Sequence, residues 1–233
     1  MSTELINITF IHAVFWVLGT TLVYAIAVKL FNRTNQFPLL HPLIVTTTII
    51  ISCQHLMSVS ISEYQQHAQL LSLLLGPATV ALAVPLYQQL ALLVRMSWRV
   101  LVPISIAGVV APALSWVSVY LLDAPLNLQM TVMVKSITTP LAMDTAAAIG
   151  GIPALAAIFV ITTGIVGAVF GPMLFSVLGI KNDAAKGLAL GSVAHVIGTA
   201  KAISISQQCA AFSTLALCLN GLVTALLLPI LFA

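Results

Sequence analysis

Lys135-Ser-Ile-Thr-Thr-Pro140 sets an ammonium, three hydroxyls and a proline inside an otherwise apolar stretch. Those groups replace the water around a charged or polar solute, and lipid tolerates them only where they line a cavity or pack against protein. Lys135 shares one helical face with Thr138 or Thr139, at i+3 and i+4, and Ser136 stands beside it. The competing reading of Lys135 is a snorkelling residue, since it lies only about 12 Å past the loop at Asn127 at 1.5 Å per residue. Asp144, one turn past Pro140, is a candidate proton carrier, an N-terminal cap or the ion-pair partner of Lys135. Ser192, His195 and Thr199 fall on one face of a later segment. His195 titrates near neutrality, so it is either a proton carrier or gate, or a packing histidine bonded to a backbone carbonyl.

The elements that must hold these residues are membrane helices. The chain is 61% hydrophobic and 6% charged, with a mean hydropathy of +1.15. Too few charges remain to solvate a globular surface, and several apolar runs can cross a roughly 30 Å hydrocarbon core as helices. The fold class expected is therefore an all-α polytopic membrane protein with one domain over residues 1–233. The net charge of +3 is no nucleic-acid footprint, because the basic residues sit between apolar runs and orient the chain in the bilayer. Cys53, Cys209 and Cys218 have no CxxC spacing and read as small buried hydrophobes. The first apolar run, preceded by Glu4 rather than a basic stretch, reads as a retained helix. His12, His41, His55 and His67 sit near segment ends, where an interfacial role fits best.

Apolar segments run over 11–30, 39–59, 68–94, 100–122, 128–149, 152–178, 184–205 and 210–232. Pro77 and Pro85 interrupt the third and Pro140 the fifth, which ends at Gly150 and Gly151. Each proline removes an N–H and frees the carbonyl four residues earlier, here those of Leu73, Ala81 and Ser136. Such carbonyls face solutes or ions in a cavity, or are re-satisfied by a neighbouring helix. Lys29 with Arg33, and Arg95 with Arg99, follow the first and third segments, which puts both clusters on the inner side. The loops of Glu63 and Asp123 lack Lys and Arg, as outer loops should. A fifth segment that turns back as a re-entrant hairpin returns Lys181 and Lys186 to the inner side.

An offset of 59 lays Thr79-Val-Ala-Leu-Ala-Val84 on Thr138-Thr-Pro-Leu-Ala-Met143, and Gly108-Val-Val on Gly167-Ala-Val. Two broken helices each followed by an ordinary one suggest an inverted repeat of the kind found in secondary transporters. About seven to eight transmembrane or re-entrant helices are expected, some discontinuous.

Phe37-Pro-Leu-Leu-His-Pro-Leu43, Gly76-Pro-Ala-Thr-Val-Ala-Leu-Ala-Val-Pro-Leu-Tyr87, Lys135-Ser-Ile-Thr-Thr-Pro-Leu-Ala-Met143, Gly150-Gly-Ile-Pro-Ala154 and Lys186-Gly-Leu-Ala-Leu-Gly-Ser-Val-Ala-His-Val-Ile-Gly-Thr-Ala-Lys201 resemble, in order, motifs of the LrgB/CidB family. The resemblance covers nearly the whole chain. That family carries an antiholin-like label tied to murein hydrolase release and autolysis. It also includes the LrgB half of the plastid glycolate/glycerate translocator and bacterial members that act with a small LrgA-type partner in pyruvate uptake. The resemblance implies a fold with crossing discontinuous helices, related to cation/proton antiporters and bile-acid transporters. Lys201 stands where the family usually has arginine, which removes any bidentate guanidinium contact there. Without an LrgA-like half or a transit peptide, the chain looks like a stand-alone subunit of the bacterial cytoplasmic (inner) membrane.

The motifs fit a carboxylate permease. A monocarboxylate needs a cation or clustered N–H and O–H donors, and a helix N-terminus exposed at a break supplies donors and positive potential. The expected solute contacts are Lys135, Ser136, Thr138, Thr139, Thr79, Ser192 and Thr199, with Asp144 and His195 coupling protons. Gly187, Gly191 and Gly198 allow close helix approach. The alternative is a non-transporting, antiholin-like regulator acting through a holin-like LrgA/CidA-type partner. A homo-oligomer is expected under either reading. No zinc, nucleophile-elbow or Walker motif is present, so neither an enzyme nor a cofactor is implied.

Overall fold

The computed structural model describes residues 2–34, 37, 40–74, 77, 80, 84, 87 and 98–232, and of residues 2–9 and 99 the backbone alone. Ten helices and no strands occur among them. Two compact units, Met1–Pro77 and Ala78–Ala233, divide the chain.

In the first unit α1 (Ser2–Arg33) packs against α2 (Pro42–Leu56), α3 (Ile61–His67) and α4 (Gln69–Leu73). Pro42 opens α2, where its missing N–H has no helical partner to lose. The buried face of α2 is Pro42, Thr46, Ile50 and Gln54, a four-residue spacing that makes one stripe. Trp16 is buried edge-on to Tyr64, whose hydroxyl meets that of Thr20 at 3.1 Å. The chain bends by 111° between α2 and α3. Ser60 makes the new start, its hydroxyl accepting from the Glu63 N–H at 3.2 Å. Glu63, expected in a loop, thus lies in the first turn of a helix.

The second unit contains α5 (Trp98–Tyr120), α6 (Leu126–Met133), α7 (Thr139–Ala148), α8 (Pro153–Val177), α9 (Asp183–Ile203) and α10 (Gln207–Phe232). Among the described residues four helical stretches are long and apolar enough to cross a membrane: Phe10–Arg33, Val100–Tyr120, Pro153–Val177 and Gln207–Phe232. Counting α2 with α3 as one broken span makes five. The fifth and seventh segments of the sequence add none, because each folds back on itself.

The fifth segment becomes α6 and α7, joined by Val134–Thr138. Ile152 N–H donates to the Thr131 hydroxyl at 2.8 Å, although a straight helix would part those residues by about 30 Å. Gly150 turns the chain out with φ 78°, and Gly151 lies so close that a Cβ there would sit 3.1 Å from the Thr131 backbone nitrogen. The core around this hairpin includes Met130, Val134, Ile137, Ala142, Ile149, Val160 and Leu228, with Trp116 packed against it.

The seventh segment, expected as a straight helix with Ser192, His195 and Thr199 on one face, turns at His195 (φ 40°, ψ −129°). Gly198 then meets the Leu190 carbonyl and the Ala194 side chain, eight and four residues back. At the base of the hairpin Gly187 touches Cys209, and in the first turn of α9 Lys186 bonds Asp183 at 2.8 Å. That hydrogen bond holds the Asp183 carboxyl below the usual carboxylate range.

Glycines set the directions. Gly164, Gly167 and Gly171 of α8 meet His195, Ala194 and Leu190 in turn, so α8 runs opposite to the first arm of α9. Gly187 and Gly191 meet Cys209 and Ser213 in turn, so α10 runs with that arm. It follows that α8 and α10 are antiparallel and that the two hairpins enter the unit from opposite ends.

Candidate functional site

The hairpin tips converge on the middle of α10. The Asn220 carboxamide donates one N–H to the Ser136 carbonyl at 3.1 Å and the other to the Ser192 carbonyl at 3.0 Å. Asn220 is 1% exposed, and its Oδ1 lies beside Gly108 of α5, where a Cβ would come within 3.1 Å of it. Both donors face carbonyls, so the opposite amide orientation would set oxygen against oxygen and is excluded.

Pro140 does not break a helix interior. It stands in the first turn of α7, where a missing N–H costs little, and the break lies just before it at Val134–Thr138. The carbonyl of Ser136, expected to need a partner, finds it in Asn220. Lys135 is half-buried in this break, and among the described residues it forms no ion pair. Ser136 and Thr138 are buried, and among the described residues neither hydroxyl has a hydrogen-bond partner. Thr138 is the N-cap of α7 yet makes no side-chain capping bond, and Thr139 is partly buried in the first turn. The positive end of α7 therefore lies beside buried, unsatisfied hydroxyls.

At the second tip His195 is buried, and its Nε2 pairs with the Val160 carbonyl at 2.8 Å. Thr199 donates to the His195 carbonyl at 2.9 Å and meets the Ser213 hydroxyl at 2.9 Å. Ser192 is buried, its carbonyl held by Asn220. Asp144 is exposed on α7, and no ion pair joins it to Lys135 among the described residues. Thr79 and Pro85 lie outside the described residues, and Pro77 is exposed.

The sequence reading missed Asn220, Ser213 and Thr224. They recur with Cys209, Ala216 and Leu228 along one buried stripe of α10, and Thr224 is a further buried hydroxyl without a partner. Polar residues seven and four positions apart on one face of an apolar helix were the available signal.

The profile of the LrgB-like family matches residues 20–233. The uncharacterised protein YwbG of Bacillus subtilis is 33% identical over 216 residues, covering 92% of this chain and 95% of that one. An antiholin-like protein LrgB of Bacillus mycoides is 31% identical over 219 residues, 92% and 94% of the two chains. A holin-like protein CidB of Staphylococcus epidermidis is 27% identical over 222 residues, 95% and 96%. No solved structure matches the chain significantly. With the family profile and full-length relatives agreeing over most of its length, the chain belongs to the LrgB-like family.

Proposed function

We propose that the protein is a membrane transporter or facilitator for small monocarboxylates of the pyruvate, glycolate and glycerate class. Transport is proton-linked and works by alternating access around the broken helices. The observation that carries this reading is the set of buried, unpartnered hydroxyls of Ser136 and Thr138 at the uncapped start of α7, beside half-buried Lys135. A dehydrated carboxylate satisfies all three at once. A buried hydroxyl left alone costs about 1–3 kcal/mol, which a passive scaffold gains nothing by retaining.

In this reading the third and fourth segments of the sequence form one half of an inverted repeat and the fifth and sixth the other, with Gly108 of α5 matching Gly167 of α8. Counting the two hairpins as re-entrant elements beside the five spans of the described residues makes seven, the lower of the seven to eight expected from sequence. The setting is the bacterial cytoplasmic membrane, with a homo-oligomer, an LrgA-type small partner and no catalytic step.

The second reading, an antiholin-like regulator of murein hydrolase release, is favoured by the printed names of the LrgB and CidB relatives. Uptake of labelled pyruvate, glycolate and glycerate into proteoliposomes, with and without a pH gradient, separates the two. Uptake that depends on the purified protein and rises with an inward proton gradient is the expected result. Silence for all three solutes leaves the regulator.

A further inference from the structure

Three separate parts of the second unit depend on one side chain. Hydrogen bonds from Asn220 reach 84 residues back to the first hairpin tip and 28 residues back to the second, and the same carboxamide packs on Gly108 of α5. Among the described residues no other side chain bonds both tips. From this we infer that Asn220 is a positioning residue that latches the two opposed hairpins together, so that neither tip opens without the other.

Each tip has anchors of its own, Val134 and Ile137 in the core at the first and the His195–Val160 bond at the second, but these do not join one tip to the other. Ser136 and Thr138 have unpartnered hydroxyls in the first tip, and the second turns on the positive φ of His195. The Ser136 carbonyl lies in the break before α7, where the nitrogen four residues on is that of Pro140 and has no hydrogen, and the Ser192 carbonyl lies three residues before the turn at His195. Losing the carboxamide strands two buried acceptors at once, so the tips separate or admit water. The coupling is geometric and does not depend on the identity of any solute.

The test uses the full chain in membranes, with single cysteines at Ser136 and Ser192 read by maleimide labelling. Both positions are buried and should label slowly in the parent protein. Asn220→Leu should raise labelling at both on the order of tenfold, the loss of two net hydrogen bonds. Asn220→Asp, nearly the same shape but with an acceptor facing two carbonyls, should raise both at least as much. Thr224→Val, equally buried one turn along and making no hydrogen bond to either tip, should change neither. A response at one tip alone, at neither, or an equal rise in Thr224→Val overturns the latch. Should the Asn220 variants fail to fold, hydrogen exchange of the parent protein decides. Amides at 136–139 and 192–196 must then exchange in one kinetic class, and separate classes refute the coupling.

Discussion

The hydroxyl of Thr131 accepts from the N–H of Ile152 at 2.8 Å, and this one bond ties the two ends of the first hairpin together. Thr131 is fully buried and also donates back to the Asn127 carbonyl, so its oxygen is used twice. Thr131→Val keeps the volume and strands the Ile152 N–H. It should cost about 1–3 kcal/mol of stability, read as a lowered melting temperature in detergent. Thr131→Ser, which retains the hydroxyl, should recover most of that loss. Equal stability of Thr131→Val and the parent would mean the hairpin is closed by packing alone.

At the second hairpin the backbone itself makes a prediction. His195 has φ 40°, a region that suits glycine, while its Nε2 bond to Val160 helps hold the turn. His195→Ala loses the bond and keeps the strain; His195→Gly loses the bond and relieves it. Glycine should therefore be the milder substitution by about 1 kcal/mol, the reverse of the order inside an ordinary helix. Unfolding of the two variants side by side decides it, and alanine proving milder would mean the turn at 195 is not made this way.

Topology within the second unit follows from the hairpins. Since the first hairpin returns to the end it left, cysteines at Asp123 and Gly150 should label from the same face of the membrane. A cysteine at Lys181, beyond α8, should label from the opposite, cytoplasmic face. Labelling of 123 and 181 from one side would mean that α8 does not cross.

These hairpins were unequally legible in the sequence. The first announces itself, because Lys135, Ser136 and two threonines cannot face lipid and sit just ahead of a proline. The second carries no proline, and Gly187, Gly191 and Gly198 read equally well as a close-packing face on a straight helix. What bends it is the fit of Gly187 and Gly191 against α10 and of Gly198 against the first arm, a tertiary property that no local pattern contains. Asn220 escaped notice as a lone amide among leucines, although its stripe with Ser213 and Thr224 was there to be counted. The start of α3 was readable from Ser60 and Glu63, the first and fourth positions of a capping sequence.

Lys135 separates solute binding from snorkelling. It sits in the break, half-buried, at the positive end of α7. Lys135→Ala should abolish carboxylate uptake while leaving insertion and melting temperature close to the parent. Lys135→Arg should retain some binding but misfit a compact site. Normal transport by Lys135→Ala would return the residue to the headgroup region and remove the anion site from this break.

Asp144 is the harder case, because it is exposed on α7 and lacks the Lys135 ion pair that the sequence allowed. A proton carrier must alternate between charged and neutral forms as access switches sides, and a substitution that fixes one form tests whether Asp144 is that carrier. Asp144→Asn fixes the neutral form. Concentrative, pH-driven uptake should be lost while exchange between equal solute pools continues, since exchange moves no net proton. Parallel loss of both activities would instead indicate a part in solute binding. Retention of pH-driven uptake at the parent rate would eliminate Asp144 as the carrier. His195, whose Nε2–H is already committed to the Val160 carbonyl, would then have to take up and release the proton at Nδ1, and His195→Gln would become the deciding variant.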